Sequence, residues 1–322
     1  MSSAGGPRSD EEVPAYLDAL GLPGLADVHV HFHPDRLMAR IWAFFDEGER
    51  HYGVPWPIHY RTSQEERLHT LSGLGIRRVP ALTYAHKPGM AAGLNGWCAK
   101  LADTHPQVLR CATLYPEPGV TEYVEAAVRG GVQLVKVHVT VSDLLPDDPQ
   151  LDGAWASLSA ARVPVVIHAG HGPRAGRFTG PESIVRLLAD HPDLTLVIAH
   201  MGMPDYDAFA DLVERYERVH LDTTMVGTDF MERVAPVPRR FLSRLVELQG
   251  RVLLGSDFPN IPYPYAHQLQ ALHRWELGED WLRDVLWRNG ERLLDQANPS
   301  HRAVAADTPG GRSCQTTPRV ST

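Results

Sequence analysis

Short apolar runs rich in β-branched residues alternate along this chain with longer stretches that place apolar residues at helical spacing. The runs are GLADVHVH (24–31), IRRVPALTY (76–84), QVLRCATLY (107–115), VQLVKVHVT (132–140), VPVVIHA (163–169), LTLVIAH (194–200), RVHLDTT (218–224) and RVLLGSD (251–257). Each has the length and composition of a buried strand. Between them, SQEERLHTLSGLG, VTEYVEAAVRGG, PESIVRLLADH and DYDAFADLVERYE read as amphipathic helices. Ser63 with Glu66 three residues on, and Pro181 followed by Glu182, are helix-start signals. Strand alternating with helix predicts right-handed βαβ units and a parallel sheet. Eight units, with no GxGxxG turn after the first strand, favour a single closed (β/α)8 barrel, the TIM barrel, over a doubly wound sheet. The aromatic and proline-containing segment from Phe32 to Thr62 is long for a βα connection, and it is expected to cover the barrel mouth.

Composition sets the limits around that pattern. The chain has 322 residues, 43% of them hydrophobic, which is ample for one large core. Residues 13–297 carry the pattern. The flanks 1–12 and 298–322, rich in Pro, Gly, Ser and Thr, read as disordered tails. A formal net charge of −8 with no basic run argues against nucleic acid or an anionic membrane as partner. Cys98, Cys111 and Cys314 show neither CxxC spacing nor an even-numbered framework, which suits a reducing cytoplasm. The N-terminus lacks a secretory signal pattern, and no apolar run reaches the ~18 residues of a membrane helix.

In a barrel of this kind the working groups sit at the C-terminal ends of the strands. The first run puts His29 and His31 on one face. Later runs end on Lys136 and His138, on His168, on His200 and on Asp257. A single polar residue closing an apolar run is ordinarily a strand emerging into solvent. The same ending on several strands, one βα unit apart, points instead to a shared site. Two imidazoles, a third from His168 and the Asp257 carboxylate form a mixed nitrogen and oxygen set that suits one divalent ion, Zn²⁺ foremost. A set that leaves a position for water reads as catalytic, because a divalent ion lowers the pKa of water toward ~7. Asp27 is expected to support His29. His33 is placed at the rim, and His86, His138, His171 and Asp222 on the active face. Arg174 and Arg177, in a Gly-rich loop after the fifth run, could pair with a substrate carboxylate but read first as solvated loop residues.

DVHVH, VVIHAG, LVIAHMG and LLGSDFP together resemble the four signatures of the amidohydrolase superfamily. VKVH and WRNGERLLD are similar to the fourth strand and closing helix of its amidohydrolase-related branch, which includes aminocarboxymuconate-semialdehyde decarboxylase-like enzymes. The resemblance runs from about Leu25 to Asp295. It implies a metal-dependent barrel with ligands at His29, His31, His168 and Asp257, and with His200 as an acid/base or substrate-orienting residue. It also brings in Lys136, where some relatives carry a carbamylated lysine bridging two metals; one metal is expected here. The expected activity is hydrolysis of a C–N or C–O bond, amide or lactone, in a small carbonyl compound, with Asp257 or His200 moving the proton. A non-oxidative decarboxylase on the same site is the alternative, and a barrel that binds metal without turnover is a third. The expected partner is a small-molecule substrate, with a homodimer the commonest oligomer.

Overall fold

The computed structural model of the protein describes residues 5–296. Its centre is a parallel sheet whose strands follow one another in chain order. β1 (Val79–Pro80) pairs with β2 (Val108–Leu109), and Arg110 alone separates β2 from β3 (Cys111–Thr113). From β3 the sheet continues through β4 (Leu134–His138), β5 (Val165–His168), β6 (Leu196–Ile198), β7 (Val219–Asp222) and β8 (Val252–Leu253).

The first apolar run closes the ring. It forms parallel bridges Leu25 to Ile76 and His31 to Leu82 on one side, and Val30 to Phe258 on the other. Val28 N–H donates to the Leu254 carbonyl (2.9 Å), His31 N–H to Phe258 (2.7 Å), and Asp257 N–H to His29 (2.9 Å). The run is bridged rather than laddered for a local reason. The Asp27 carboxylate accepts the His29 amide at 2.9 Å, which takes that amide away from the neighbouring strand.

The helices lie where the periodicity places them. Gln64–Gly73 starts at a complete capping box: Glu66 N–H donates to Ser63 Oγ (3.3 Å) and Ser63 N–H to Glu66 Oε2 (2.8 Å). Pro181–Asp190 begins on its proline, where a missing N–H costs nothing, and buries Ile184, Leu187 and Leu188. The last helix, Asn289–Gln296, sends Leu293 and Leu294 into a cluster with Leu134, Val166, Val197 and Leu253. Along β4 and β5, Leu134 shares a face with Lys136, and Val166 with His168. The barrel interior therefore passes from apolar at its floor to polar at its mouth.

Two boundaries differ from the sequence reading. Asp10–Glu12, assigned to the N-terminal tail, form a 3-10 helix leading into Val13–Leu20, and Asp10 accepts the Ala266 amide at 2.9 Å. β6 stops at Ile198 because His200 and Met201 take left-handed backbone angles, φ 54° and 53°. The C-terminal tail, with His301 and Cys314, lies outside the described residues. No helix among the described residues is long and apolar enough to cross a membrane.

The turn after β6 depends on Gly202. Its φ is +70°, and a Cβ there would stand 2.0 Å from the Phe209 ring. Gly202→Ala is expected to destabilise the protein by roughly 2 kcal/mol or more, read as a lower urea midpoint. An unchanged midpoint would show that the turn can relax.

Candidate metal centre

His29, His31 and Asp257 meet at the mouth of the barrel, their ligand atoms all within 4.8 Å of one another. Asp257 Oδ1 lies 3.3 Å from His29 Nε2 and 3.0 Å from His31 Nε2. Both imidazoles are oriented through their other nitrogen. His29 Nδ1–H donates to Asp222 Oδ2 at 2.8 Å, and His31 Nδ1–H to the Leu82 carbonyl at 3.2 Å. With Nδ1 of each ring engaged by these acceptors, Nε2 is the nitrogen left to offer a lone pair to a metal; His31 Nε2 also stands at hydrogen-bond distance, 3.0 Å, from Asp257 Oδ1. That arrangement is how proteins prepare histidines for a metal. The spacing fits too, since metal–ligand bonds of ~2.0–2.2 Å give a tetrahedral ligand–ligand edge of roughly 3.3 Å. The donor set therefore fits a divalent first-row ion.

The approach of the strands is tight. A Cβ at Gly255, in the LLGSD run, would stand 2.1 Å from Thr224 Oγ1 and 3.0 Å from His29 Cβ, so glycine is required there. Thr224 Oγ1 is itself 3.0 Å from His29 Nδ1.

Around these three stand the other strand-end residues. Lys136 is fully buried, and its Nζ donates to His29 Nε2 at 2.8 Å. His168 is outside the group of three: its Nε2 is 3.0 Å from the Gly172 carbonyl, and its ring stacks on His138 with centroids 4.2 Å apart. His200 sits edge-on to both His168 and His29, at 4.7 and 5.4 Å, and its Nδ1–H donates to the Thr224 carbonyl at 3.1 Å. Phe45, Tyr52 and Trp56, from the segment expected to cover the mouth, line the cavity, which measures about 50 Å³.

Burial governs the titration of the cluster. It lowers His138 and His168 well below the usual histidine range, assisted by neighbouring cationic groups. It takes His200 down to about 4 despite the Asp257 and Asp222 charges, and lowers His29 with help from Lys136. It lowers Lys136 to about 8 against the pull of Asp257 and Asp222. Burial disfavours ionisation of Asp257, but the His31 hydrogen bond and the charges of His29 and His31 outweigh it and hold the carboxyl well below the usual range. The same contest leaves Asp222 at about 2, with His29 the main counterweight to burial.

Other readings meet mixed outcomes. Asp27 supports the His29 backbone and accepts the Tyr265 hydroxyl (2.8 Å), whereas the ring is held by Asp222, whose part the sequence did not specify. VHLD ends on an acid as LLGSD does, and that parallel is the signal that could have found it. His33 is buried rather than at the rim, with Nδ1 2.9 Å from Thr83 Oγ1. Tyr84, which no motif marks, packs edge-on to His31, His33 and His138. Arg174, Arg177 and His86 are exposed, and His171 pairs with Asp205 at 2.6 Å.

A parallel barrel with a His-His-Asp cluster at its C-terminal mouth defines a class, and comparison assigns the family. A profile described as Amidohydrolase matches residues 26–296, and the chain belongs to that family of enzymes. Similar solved structures include an uncharacterised TIM-barrel protein from Bordetella bronchiseptica, 20% identical, with a TM-score of 0.67 over 84% of this chain and 98% of that one. Another is 5-carboxyvanillate decarboxylase from Sphingomonas paucimobilis, 16% identical, TM-score 0.58, covering 84% and 99%. A third is a probable 2-pyrone-4,6-dicarboxylic acid hydrolase from Acinetobacter baumannii, 14% identical, TM-score 0.56, covering 83% and 98%. At these identities the likeness is one of fold. A comparison with curated proteins returns no match.

Asp222→Asn tests the orientation of His29. The amide would keep an oxygen for the backbone but set an N–H against His29 Nδ1–H, favouring the tautomer that carries its proton on Nε2. Zinc affinity, measured by chelator competition, is expected to fall roughly 10–100-fold. Wild-type affinity would show that Asp222 does not set the tautomer.

Proposed function

We propose that the protein is a metal-dependent hydrolase that opens an amide or lactone bond in a small carbonyl compound. The observation that carries the reading is the pair of imidazoles whose Nδ1 atoms are engaged and whose Nε2 atoms converge on Asp257. His29, His31 and Asp257 would hold one divalent ion, with His168 joining them once its Nε2 leaves the Gly172 carbonyl or its ring turns. The ion would polarise the substrate carbonyl and make water more acidic.

The chain's own residues supply the proton handling. Asp257, ionised and partly exposed at the mouth, is placed to take a proton from the attacking water. His200 is neutral near pH 7, so it accepts a proton in the reaction and returns it to the leaving nitrogen or oxygen. Lys136, beside His29 and within the field of Asp257, offsets the negative charge of the two carboxylates. The aromatic wall of Phe45, Tyr52 and Trp56 keeps bulk water from the reacting carbonyl.

Three measurements test this reading. Product formed in ¹⁸O-labelled water by a lactone or amide substrate is expected to carry the label; stoichiometric CO₂ from a carboxylated substrate, with no label incorporated, would establish the decarboxylase instead. His31→Ala is expected to lose tight zinc binding and turnover with far-UV circular dichroism unchanged. Full metal content in that variant would remove His31 from the ligands. Elemental analysis after purification with added metal and bicarbonate is expected to give one equivalent per chain in both wild type and Lys136→Met. Two equivalents, dropping in the variant, would establish a lysine-bridged pair.

A further inference from the structure

The helix Asp35–Asp46 carries Phe45 toward the metal centre, and it also faces a second recess. That recess is an open cleft of about 770 Å³ between this helix and the start of Gln64–Gly73, lined by Asp35, Met38, Trp42, Arg61, Ser63 and Arg67, among others. Arg67 is the anomaly. It is 1% exposed, and its Nε and Nη1 have no hydrogen-bond partner among the described residues. Its guanidinium lies over the rings of Phe32 and Trp42, 5.3 and 5.4 Å from their centroids. The Trp42 indole Nε1 is buried and unpartnered as well.

The orphaned atoms of Arg67 and Trp42 are all donors, and two of the three belong to a group that carries a fixed positive charge. A buried donor with nothing to accept from it costs ~1–3 kcal/mol, and more when charged. The neighbouring acids do not relieve this. Glu66 is held in the capping box with Ser63, and Arg61 is already paired with Asp46. Asp35 is exposed, influences Arg67 at a distance, and forms no ion pair with it among the described residues. Glu65, also in the lining, faces His105 at 3.5 Å, so none of the three carboxylates of the recess is paired with Arg67 among the described residues.

We propose that this cleft is a second binding site, taking a small oxyanion, carboxylate or phosphate, between Arg67 and the Trp42 indole. The planar guanidinium suits either anion, since two N–H groups can meet two oxygens. The aromatic faces around it leave the anion's polar edge as the part recognised. The site does not include the residues of the His-His-Asp cluster, although it adjoins them through the helix that carries Phe45 and through Phe32, next to His31.

Isothermal titration of the full-length protein with sodium benzoate and, separately, with inorganic phosphate tests the site and distinguishes the two anions. One saturable equivalent is expected for at least one of them, with its affinity retained in His31→Ala. Arg67→Met is expected to weaken that binding at least tenfold. Because Arg67 is packed between rings, Trp42→Phe serves as the milder variant; it keeps an aromatic face, removes the indole donor, and is expected to weaken binding severalfold with the fold intact. Asp35→Asn, which removes a like charge from the rim, is expected to strengthen it. No saturable heat with either anion, or binding that His31→Ala abolishes and Arg67→Met and Trp42→Phe leave alone, would overturn the proposal. So would a marked loss of stability in Asp35→Asn without anion binding, since Asp35 would then be the counter-ion of Arg67.

Discussion

The carboxylate of Asp222 is the group on which the site turns. It is fully buried, which ordinarily opposes a charge, yet it accepts from three directions. One oxygen takes His29 Nδ1–H (2.8 Å); the other takes the backbone amides of His200 (2.8 Å) and Thr224 (3.1 Å). These bonds replace the water it has lost and keep it ionised. They also tie together three parts of the chain distant in sequence: the first run, the turn after β6 and the end of β7. His200 can hold its left-handed backbone because its amide is fixed there. His29 can present Nε2 because its proton is committed elsewhere. Electrostatics and geometry are thus one arrangement.

Charge balance inside the barrel follows from the same constraint. A fully buried carboxylate, Asp222, and a partly buried one, Asp257, face one buried ammonium, Lys136, among His138, His168 and His200, which burial keeps neutral. Leaving such carboxylates uncompensated would be costly in a medium poorer than water at screening charge. The contact between Lys136 Nζ and His29 Nε2 puts a positive group against a nitrogen that also suits a metal. A divalent ion at the three ligand atoms would supply more positive charge than the lysine does, and from a position between all three.

Much of this was legible in the residues because barrels impose a repeating unit. Buried parallel strands must be apolar, so a His, Lys or Asp at the end of VVIH, LVIAH, VKVH or LLGSD stands out, and alternation alone sets which residues share a face. What the chain did not disclose depends on contacts far apart in sequence. That Asp222 rather than Asp27 holds the His29 ring could not be read from parity, since both lie on acceptable faces. The fragmentation of the first run comes from a side chain competing with the ladder, at Asp27. The turn of His200 off the strand comes from a left-handed backbone that a β-rich run does not announce. His33 was misplaced because the following proline suggested a rim, whereas its ring is enclosed by Thr83, His31 and Tyr84.

The mouth itself limits what the site can admit. Its cavity of about 50 Å³ has room for a few waters. Phe45, Tyr52 and Trp56 make that closure, with Tyr52 and Trp56 4.9 Å apart and Trp56 pinned by its indole N–H on the Asn260 carbonyl at 2.8 Å. Trp56 is therefore the fixed end of the wall, anchored two residues beyond Phe258. Phe45, on the twelve-residue helix Asp35–Asp46, and Tyr52, at the end of the short helix Gly48–Tyr52, are less buried than Trp56. The aromatic wall and the His-His-Asp cluster beneath it are thus built on separate parts of the chain, the wall on residues 45–56 and the cluster on the first and last strand ends.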